Sequence, residues 1–347
     1  MKCLRIGCWL VLGLLAIGLP ACKKDTGKTK VAFISNNSFD FWLIAEAGAK
    51  KAAKEYDVDL EFKMPAGGGS AEAQQQIIED LLNKGVEGIA ISPNDAKNLV
   101  SFLKDNVSSK IPLITQDSDV PDPSARRCYI GTHNYRAGRA AGALVEKACP
   151  QGGKIIIFVG KLDVQNAIER RQGVLDYLKG RKNKDDEIDQ VDPADATNLK
   201  VGKYVLIKTQ TDGGNREECQ QRAEELVNLH PDVSCLVGLW EYNPPAMLLA
   251  VQNAKMKTKP AIVAFDENYE TLEGIQNGQI IGTVVQNPYE FGYQSIKILA
   301  GLAKGDNKVL SERKDLEKNN CIYIPHRIIA KDNVDAFYKE LKAIKGK

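Results

Sequence analysis

Residues 30–63 read KVAFISNNSFDFWLIAEAGAKKAAKEYDVDLEFK, and their pattern decides the fold class. Val31–Ser35 is an apolar run of strand length. Trp42–Tyr56 spaces its apolar residues at helical intervals among lysines and glutamates, and Asp59–Lys63 returns to strand. A strand apolar on both faces, then an amphipathic helix, then another strand, marks a βαβ unit in a sheet covered on both sides. Working outward, a helix over Ser70–Lys84, a strand over Gly88–Ser92, a helix over Asp95–Asn106 and a strand over Pro112–Thr115 repeat the unit. The spacing therefore predicts a doubly wound α/β domain with a parallel sheet.

The pattern restarts after Thr132. A helix to Lys147 precedes strands at Lys154–Val159, Tyr204–Lys208, Cys235–Gly238, Ala261–Phe265 and Ile280–Val285. Helices at Asn166–Leu178, Asn215–Leu229, Pro244–Ala254 and Tyr269–Asn277 separate them. Two such halves predict two similar lobes, as a chain of 347 residues requires, since one core rarely serves that length. The charged, proline-containing stretch Arg181–Lys200 reads as a surface insertion and not as a catalytic carboxylate cluster.

At the other end, Met1–Arg5 is short and basic, and Ile6–Leu19 is apolar. Fourteen residues at about 1.5 Å each fall short of a ~30 Å hydrocarbon core, so this segment reads as an export signal and not as a transmembrane anchor. Leu19, Ala21 and Cys22 resemble the bacterial lipoprotein signal, which implies cleavage after residue 21 and a lipid on Cys22. The alternative is an ordinary secretory signal with no lipid there. Residues 22–29 are polar enough to serve as a tether. The expected location is the periplasm or cell surface, held to a membrane by the N-terminal lipid.

Lysine and arginine number 47 against 45 aspartates and glutamates, and two of the basic residues, Lys2 and Arg5, belong to the signal. The exported part is thus balanced, far from the basic surplus that binds a phosphate backbone, so no nucleic acid is expected. Five cysteines remain after Cys3, Cys8 and Cys22, namely Cys128, Cys149, Cys219, Cys235 and Cys321. Cys128 opens a predicted strand and Cys149 ends the helix that returns beside it, which leaves a disulfide between them open. No CxxC spacing occurs and the three histidines are scattered, so no metal is expected.

In open parallel sheets a ligand binds beyond the carboxyl ends of the strands. The residues that follow the predicted strands are Asn36, Asn37, Phe39, Phe41 and Trp42; Gln116 and Asp117; Thr132, His133 and Asn134; Asn166, Glu169 and Arg170; Asp212 and Asn215; Trp240 and Glu241; Asp266; and Gln286. Aromatic rings suit the C–H faces of a sugar. Carboxylates, a guanidinium and amides suit its hydroxyls, each of which donates and accepts. The reading is a site for a small neutral polyol, with no catalytic residue and no cofactor. Gly67–Gly69 before Ser70 lack the spacing of a nucleotide loop, and Ser70 reads as a helix cap.

Taken in order, these segments resemble the periplasmic sugar-binding proteins of the ribose/galactose type. The match runs through Val31–Trp42, Gly85–Pro93, Ile111–Asp117, Ile130–Gly142, Glu169–Gly173, Pro231–Val233, Phe265–Asp266 and Gly278–Gln286. The resemblance implies two doubly wound parallel-sheet lobes of the periplasmic binding protein-like I fold, joined by a three-strand hinge with the ligand cleft between. It implies a first lobe of residues 30–131 plus 287–324 and a second of 132–286 plus 325–345. It further implies a monomer that captures a monosaccharide without chemistry and delivers it to an ABC transporter permease. A receptor for a sensor kinase or chemoreceptor, or a binder of a nucleoside or autoinducer, is the alternative on the same fold. By position, Phe41 and Trp42 match the family's stacking aromatics, Asp117 its first-lobe acceptor, Arg170 its guanidinium, Asp266 a later acceptor and Gln286 the hinge-side amide. The sequence departs from ribose receptors at Ser118, at Gly213–Gly214 and at Trp240, which is expected to face Trp42 and replace a missing aromatic. The ligand-binding set is then Phe39, Phe41, Trp42, Asp117, Thr132, Asn134, Asn166, Arg170, Asn215, Trp240, Asp266 and Gln286.

Overall fold

The structure, a computed structural model, describes residues 27–66, 69–182, 187–254 and 256–345. The signal, Cys22 and most of the tether lie outside the described residues. In chain order the strands are β1 Lys30–Ile34, β2 Asp59–Lys63, β3 Ile89–Ile91, β4 Leu113–Gln116, β5 Cys128–Gly131, β6 Gly153–Val159 and β7 Leu199–Val201. They continue as β8 Tyr204–Thr211, β9 Val233–Gly238, β10 Ala261–Phe265, β11 Gly282–Val285, β12 Leu316–Glu317, β13 Cys321–Tyr323 and β14 Arg327–Ala330. The helices are α1 Asp40–Glu55, α2 Ala71–Asn83, α3 Ala96–Phe102, α4 Asn134–Ala148, α5 Gln165–Leu178 and α6 Arg216–Leu229. They end with α7 Asn243–Asn253, α8 Tyr269–Gln276, α9 Pro288–Ala303, α10 Lys308–Ser311 and α11 Val334–Lys345.

The strands form two seven-stranded sheets. The first has the order β12-β13-β5-β4-β3-β1-β2 and the second β14-β11-β10-β9-β6-β8-β7. The pairings are parallel except those of β12, β14 and β7 at the edges. The central strands bury both faces, which is why they read as unbroken apolar runs. In β1, Val31 and Phe33 pack on the α1 and α9 side while Ala32 and Ile34 pack on the α2 and α3 side. In β6, Ile156 and Phe158 enter one core and Ile155, Ile157 and Val159 the other. The chain passes between the sheets three times, at Thr132–His133, at Gln286–Asn287 and at Ile324–His326, so the doubly wound two-lobe reading describes the molecule.

Local chemistry sets the helix ends. Ser70 Oγ accepts from the Ala73 N–H at 3.1 Å, so the serine after the glycines is the cap of α2. The helix expected to run to Asn106 keeps α-helical bonding only to Phe102 and then continues as a π-helical turn over Leu103–Ser108. Helices α4 and α5 touch backbone to backbone, because a Cβ on Gly138 would collide with the Arg170 carbonyl and one on Gly173 with that of Tyr135. Gly48 and Gly292 allow the same approach of α1 to α9 in the other half.

The cysteine pairing left open by the sequence is decided, and two expectations are corrected. Cys128 lies in β5 of the first sheet, whereas Cys149 lies beside β9 of the second, its thiol bonded to the Ser234 carbonyl, so they do not pair and both are free. The stretch after Arg181 is more than a surface insertion: Asp192 is buried, ion-paired to Lys179 at 2.6 Å and bonded to Gln172. Arg171 donates to the carbonyls of Asp192 and Pro193, which pins this segment onto α5. Trp42, expected to stack on a ligand, is 2% exposed in the first sheet's core, against Phe33 and Phe41, with Nε1 donating to Asn36 Oδ1 at 3.0 Å. Its position on the inner face of α1 turns it away from solvent. Among the described residues no helix is long and apolar enough to cross a membrane.

Candidate ligand-binding site

Both sheets direct the carboxyl ends of their parallel strands to loops that carry the predicted polar residues. Asp117 follows β4 and Asp266 follows β10, and the two share one local geometry. Each is left-handed, with φ of 60° and 63°, a conformation that favours glycine, asparagine and aspartate. Each donates its N–H to the next strand, Asp117 to Ile130 O at 3.0 Å and Asp266 to Val284 O at 2.8 Å. Each carbonyl accepts a hydroxyl from that strand at 2.8 Å, from Tyr129 and Thr283 respectively. The backbone thus holds a carboxylate at the same place on either half.

Arg170 lies within electrostatic reach of both. It is buried on α5, and Nε donates to Asn134 Oδ1 at 2.9 Å and Nη1 to the Leu239 carbonyl at 3.0 Å. Its guanidinium lies 4.0 Å over the Phe265 ring and 3.9 Å from Asp266 Oδ2. The close packing of α4 on α5 brings Asn134, at the first inter-sheet crossing, to this arginine. Gln286, at the second crossing, donates to Asp266 Oδ1 at 2.9 Å. Ser92 and Ser118 hydroxyls lie 3.2 and 3.4 Å from Asp117 Oδ2.

Burial pushes the Asp266 carboxyl up to about 6, against the pull of Arg170 and Gln286, with Asp117 adding repulsion. Burial also raises Asp117, opposed first by Arg170 and then by the two serines. The two aspartates, from different sheets, therefore share the field of one guanidinium. Beside them Glu267 is driven to about 8 by burial and then by Asp266, and Glu241 is raised by burial in spite of its bond from Asn268.

Buried polar atoms without a protein partner concentrate in the same loops. They include Asn94 Nδ2, Gln116 Oε1, Thr132 Oγ1, Asn166 Oδ1 and Trp240 Nε1, each at or after the carboxyl end of a strand. Asn166 precedes Arg170 by one helical turn and shares its face. Each such atom costs about 1–3 kcal/mol unless something bonds it, so this layout needs a polar occupant or water.

The structure brings together Asp117, Asn134, Arg170, Asp266 and Gln286 by direct bonds or shared charge, with Thr132, Asn166 and Trp240 contributing open polar atoms. It does not do so for the rest. Asn215 is exposed, its Oδ1 accepting from the Glu218 N–H at 2.8 Å, which makes it the cap of α6. Phe39 is 61% exposed just before α1, and Phe41 packs edge-on against Trp42 and tilted on Phe291. Trp240 meets Tyr242 at 6.2 Å and covers Gly160, so the expected pairing with the core residue Trp42 is not what the rings do. Asp212 is occupied by Tyr242, Asn243 and the Gly214 N–H. Sequence reading missed Ser92 and Asn94 as polar neighbours of these loops, although both follow a strand, and named Ser118 only as a departure from ribose receptors. It missed Glu267 because nothing in sequence distinguishes a buried glutamate. A hollow of about 630 Å³ lies elsewhere, lined by Lys208, Arg222 and Glu225 on the outer side of α6, where none of these features converges.

The periplasmic binding protein domain matches residues 31–307. The chain is 23% identical over 271 residues to the D-allose-binding periplasmic protein of Escherichia coli, covering 76% of this chain and 81% of that one. It is 25% identical over 344 residues to the xylitol-binding protein of Mycolicibacterium smegmatis, covering 95% and 87%. An ABC transporter solute-binding protein from Burkholderia graminis, solved with D-arabinose, superposes with a TM-score of 0.73 at 28% identity, covering 88% of this chain and 96% of that chain. These relatives are binding proteins and not enzymes. With two doubly wound sheets, three crossings and a polar cluster at the strand ends, the chain belongs to the periplasmic binding protein family, in its type I form.

Proposed function

We propose that the protein captures a small neutral polyol, a monosaccharide or sugar alcohol, between its two lobes and delivers it to an ABC permease while a lipid on Cys22 holds it at the membrane. The observation that carries the reading is the pair of left-handed aspartates, one from each sheet, around a single buried Arg170. Hydroxyl pairs bridging two carboxylates and a guanidinium satisfy donors and acceptors on both lobes at once. Only the closed arrangement makes all these bonds, so the ligand favours closure by binding that state more tightly. The net charge of the site, two carboxylates against one guanidinium, disfavours anions. The relatives' ligands, D-allose, xylitol and D-arabinose, are all of this class.

Tryptophan fluorescence with a panel of pentoses, hexoses and pentitols tests the assignment. A saturable change with one or a few members is expected. No response to any neutral polyol at millimolar concentration sinks the ligand class. Mass spectrometry of the membrane fraction tests the anchor, which predicts a diacylglyceryl adduct on a chain that begins at Cys22.

A further inference from the structure

Helix α4 carries Asn134 at one end and terminates at Cys149 at the other. The Cys149 side chain lies against β9, where Sγ donates to the Ser234 carbonyl at 3.5 Å, and Tyr204 Oη donates to the Cys149 carbonyl at 2.9 Å. The next residue of β9, Cys235, is fully buried with Sγ donating to the Leu236 carbonyl at 3.6 Å, and Cys149, whose sulfur touches the carbonyl that precedes Cys235, packs on the core cluster that contains it. Both thiols are free, and both sit towards the amino end of β9, the opposite end of the sheet from the polar cluster.

We propose that Cys149 and Cys235 form a redox pair that closes to an intrachain disulfide, with half-buried Cys149 attacking and buried Cys235 resolving. The oxidant is an external disulfide, small or protein-borne. The Cys149 thiolate displaces one sulfur of it, giving a mixed disulfide and one released thiol. The Cys235 thiol then gives up its proton and attacks the Cys149 sulfur. The new S–S bond forms and the second external sulfur leaves as a thiol, so the pair is oxidised by two electrons and the external disulfide is reduced to two thiols. The neighbouring Cys235 thiol holds Cys149 down at about 7, close to the optimum for an attacking thiol, while Cys235 itself stays well above the usual thiol range. Cys128 and Cys219 are pushed up to about 12 by burial, so neither competes. Compartment agrees with this, because periplasmic proteins meet disulfide oxidants.

The test incubates the whole protein with oxidised glutathione near neutral pH, alkylates the remaining thiols after denaturation and maps the peptides without reduction. One linked pair through Cys149 and Cys235 is expected, with Cys128, Cys219 and Cys321 all alkylated. Cys235→Ser should stop at the glutathione adduct on Cys149, and Cys149→Ser should form neither product. Should Cys235→Ser fail to fold, the wild-type map decides alone. A lasting glutathione adduct on wild-type Cys149, a link through any other cysteine, or no loss of alkylatable thiol overturns the proposal. Oxidation is expected to leave polyol affinity unchanged, so this result stands or falls separately from the ligand assignment.

Discussion

Replacing Arg170 with Met keeps much of the side-chain volume over Phe265 and removes the guanidinium. Two effects follow. The Asn134 amide oxygen and the Leu239 carbonyl each lose a donor, and Asp266, 6% exposed, loses the cation that lies 3.9 Å from it. Breaking a buried pair by removing one partner costs about 3–5 kcal/mol. The charge part of that loss depends on pH. Asp266 already sits at about 6 with the arginine present, above the unfolded value of 3.8, so the native state holds the proton longer than the unfolded chain. Its contribution is therefore neutral at low pH, and stability falls as pH rises from about 4 through 6. Without Arg170 the native value climbs further, and each added unit deepens the deficit above it by about 1.4 kcal/mol. Arg170→Met should thus be destabilised by roughly 3–5 kcal/mol at pH 8 and by at least about 1.5 kcal/mol less at pH 5. Urea unfolding of both proteins at the two pH values measures this directly. A deficit equal at pH 5 and pH 8 refutes the reasoning and reduces Arg170 to packing.

Other substitutions separate the site from its scaffold. Glu267→Gln mimics the protonated acid. Because the native carboxyl titrates at about 8 against 4.5 unfolded, wild-type stability drains away between those values, and the variant should match wild type near pH 4 yet exceed it by roughly 3 kcal/mol at pH 7 in thermal unfolding. Asn215→Ala removes a helix cap and should cost about 1 kcal/mol of stability in urea while calorimetry finds polyol affinity unchanged. Gly138→Ala drives a methyl into the Arg170 carbonyl, so α4 and α5 must separate. We expect about 1–3 kcal/mol of destabilisation together with weakened polyol binding, read by parallel unfolding and titration.

The two-lobe architecture was legible because period and burial agree: strands such as β1 and β6 run apolar without a break, over Val31–Ile34 and Ile155–Val159, only where helices cover both faces. The rule that ligands bind beyond strand ends also singled out Asp117, Arg170, Asp266 and Gln286, side chains that the fold gathers into one charged cluster. It erred where a residue following a strand had local work to do. Asn215 satisfies a helix end, and the aromatic face of Trp42 falls on the inner side of α1, a matter of rotation about the helix axis that adjacent aromatics at 41 and 42 leave ambiguous. Cysteine proximity was misread for another reason. The chain leaves the first sheet between Cys128 and Cys149, and only the crossing at Thr132–His133 shows that the two belong to different lobes.

A crystal structure of the protein with its bound polyol tests the central claim most directly. The account predicts ligand hydroxyls within hydrogen-bond distance of Asp117 from one lobe, Asp266 from the other and Arg170 between them, with Asn166 or Trp240 Nε1 gaining a partner. A ligand seated instead in the hollow beside α6, or touching one lobe alone, would contradict it.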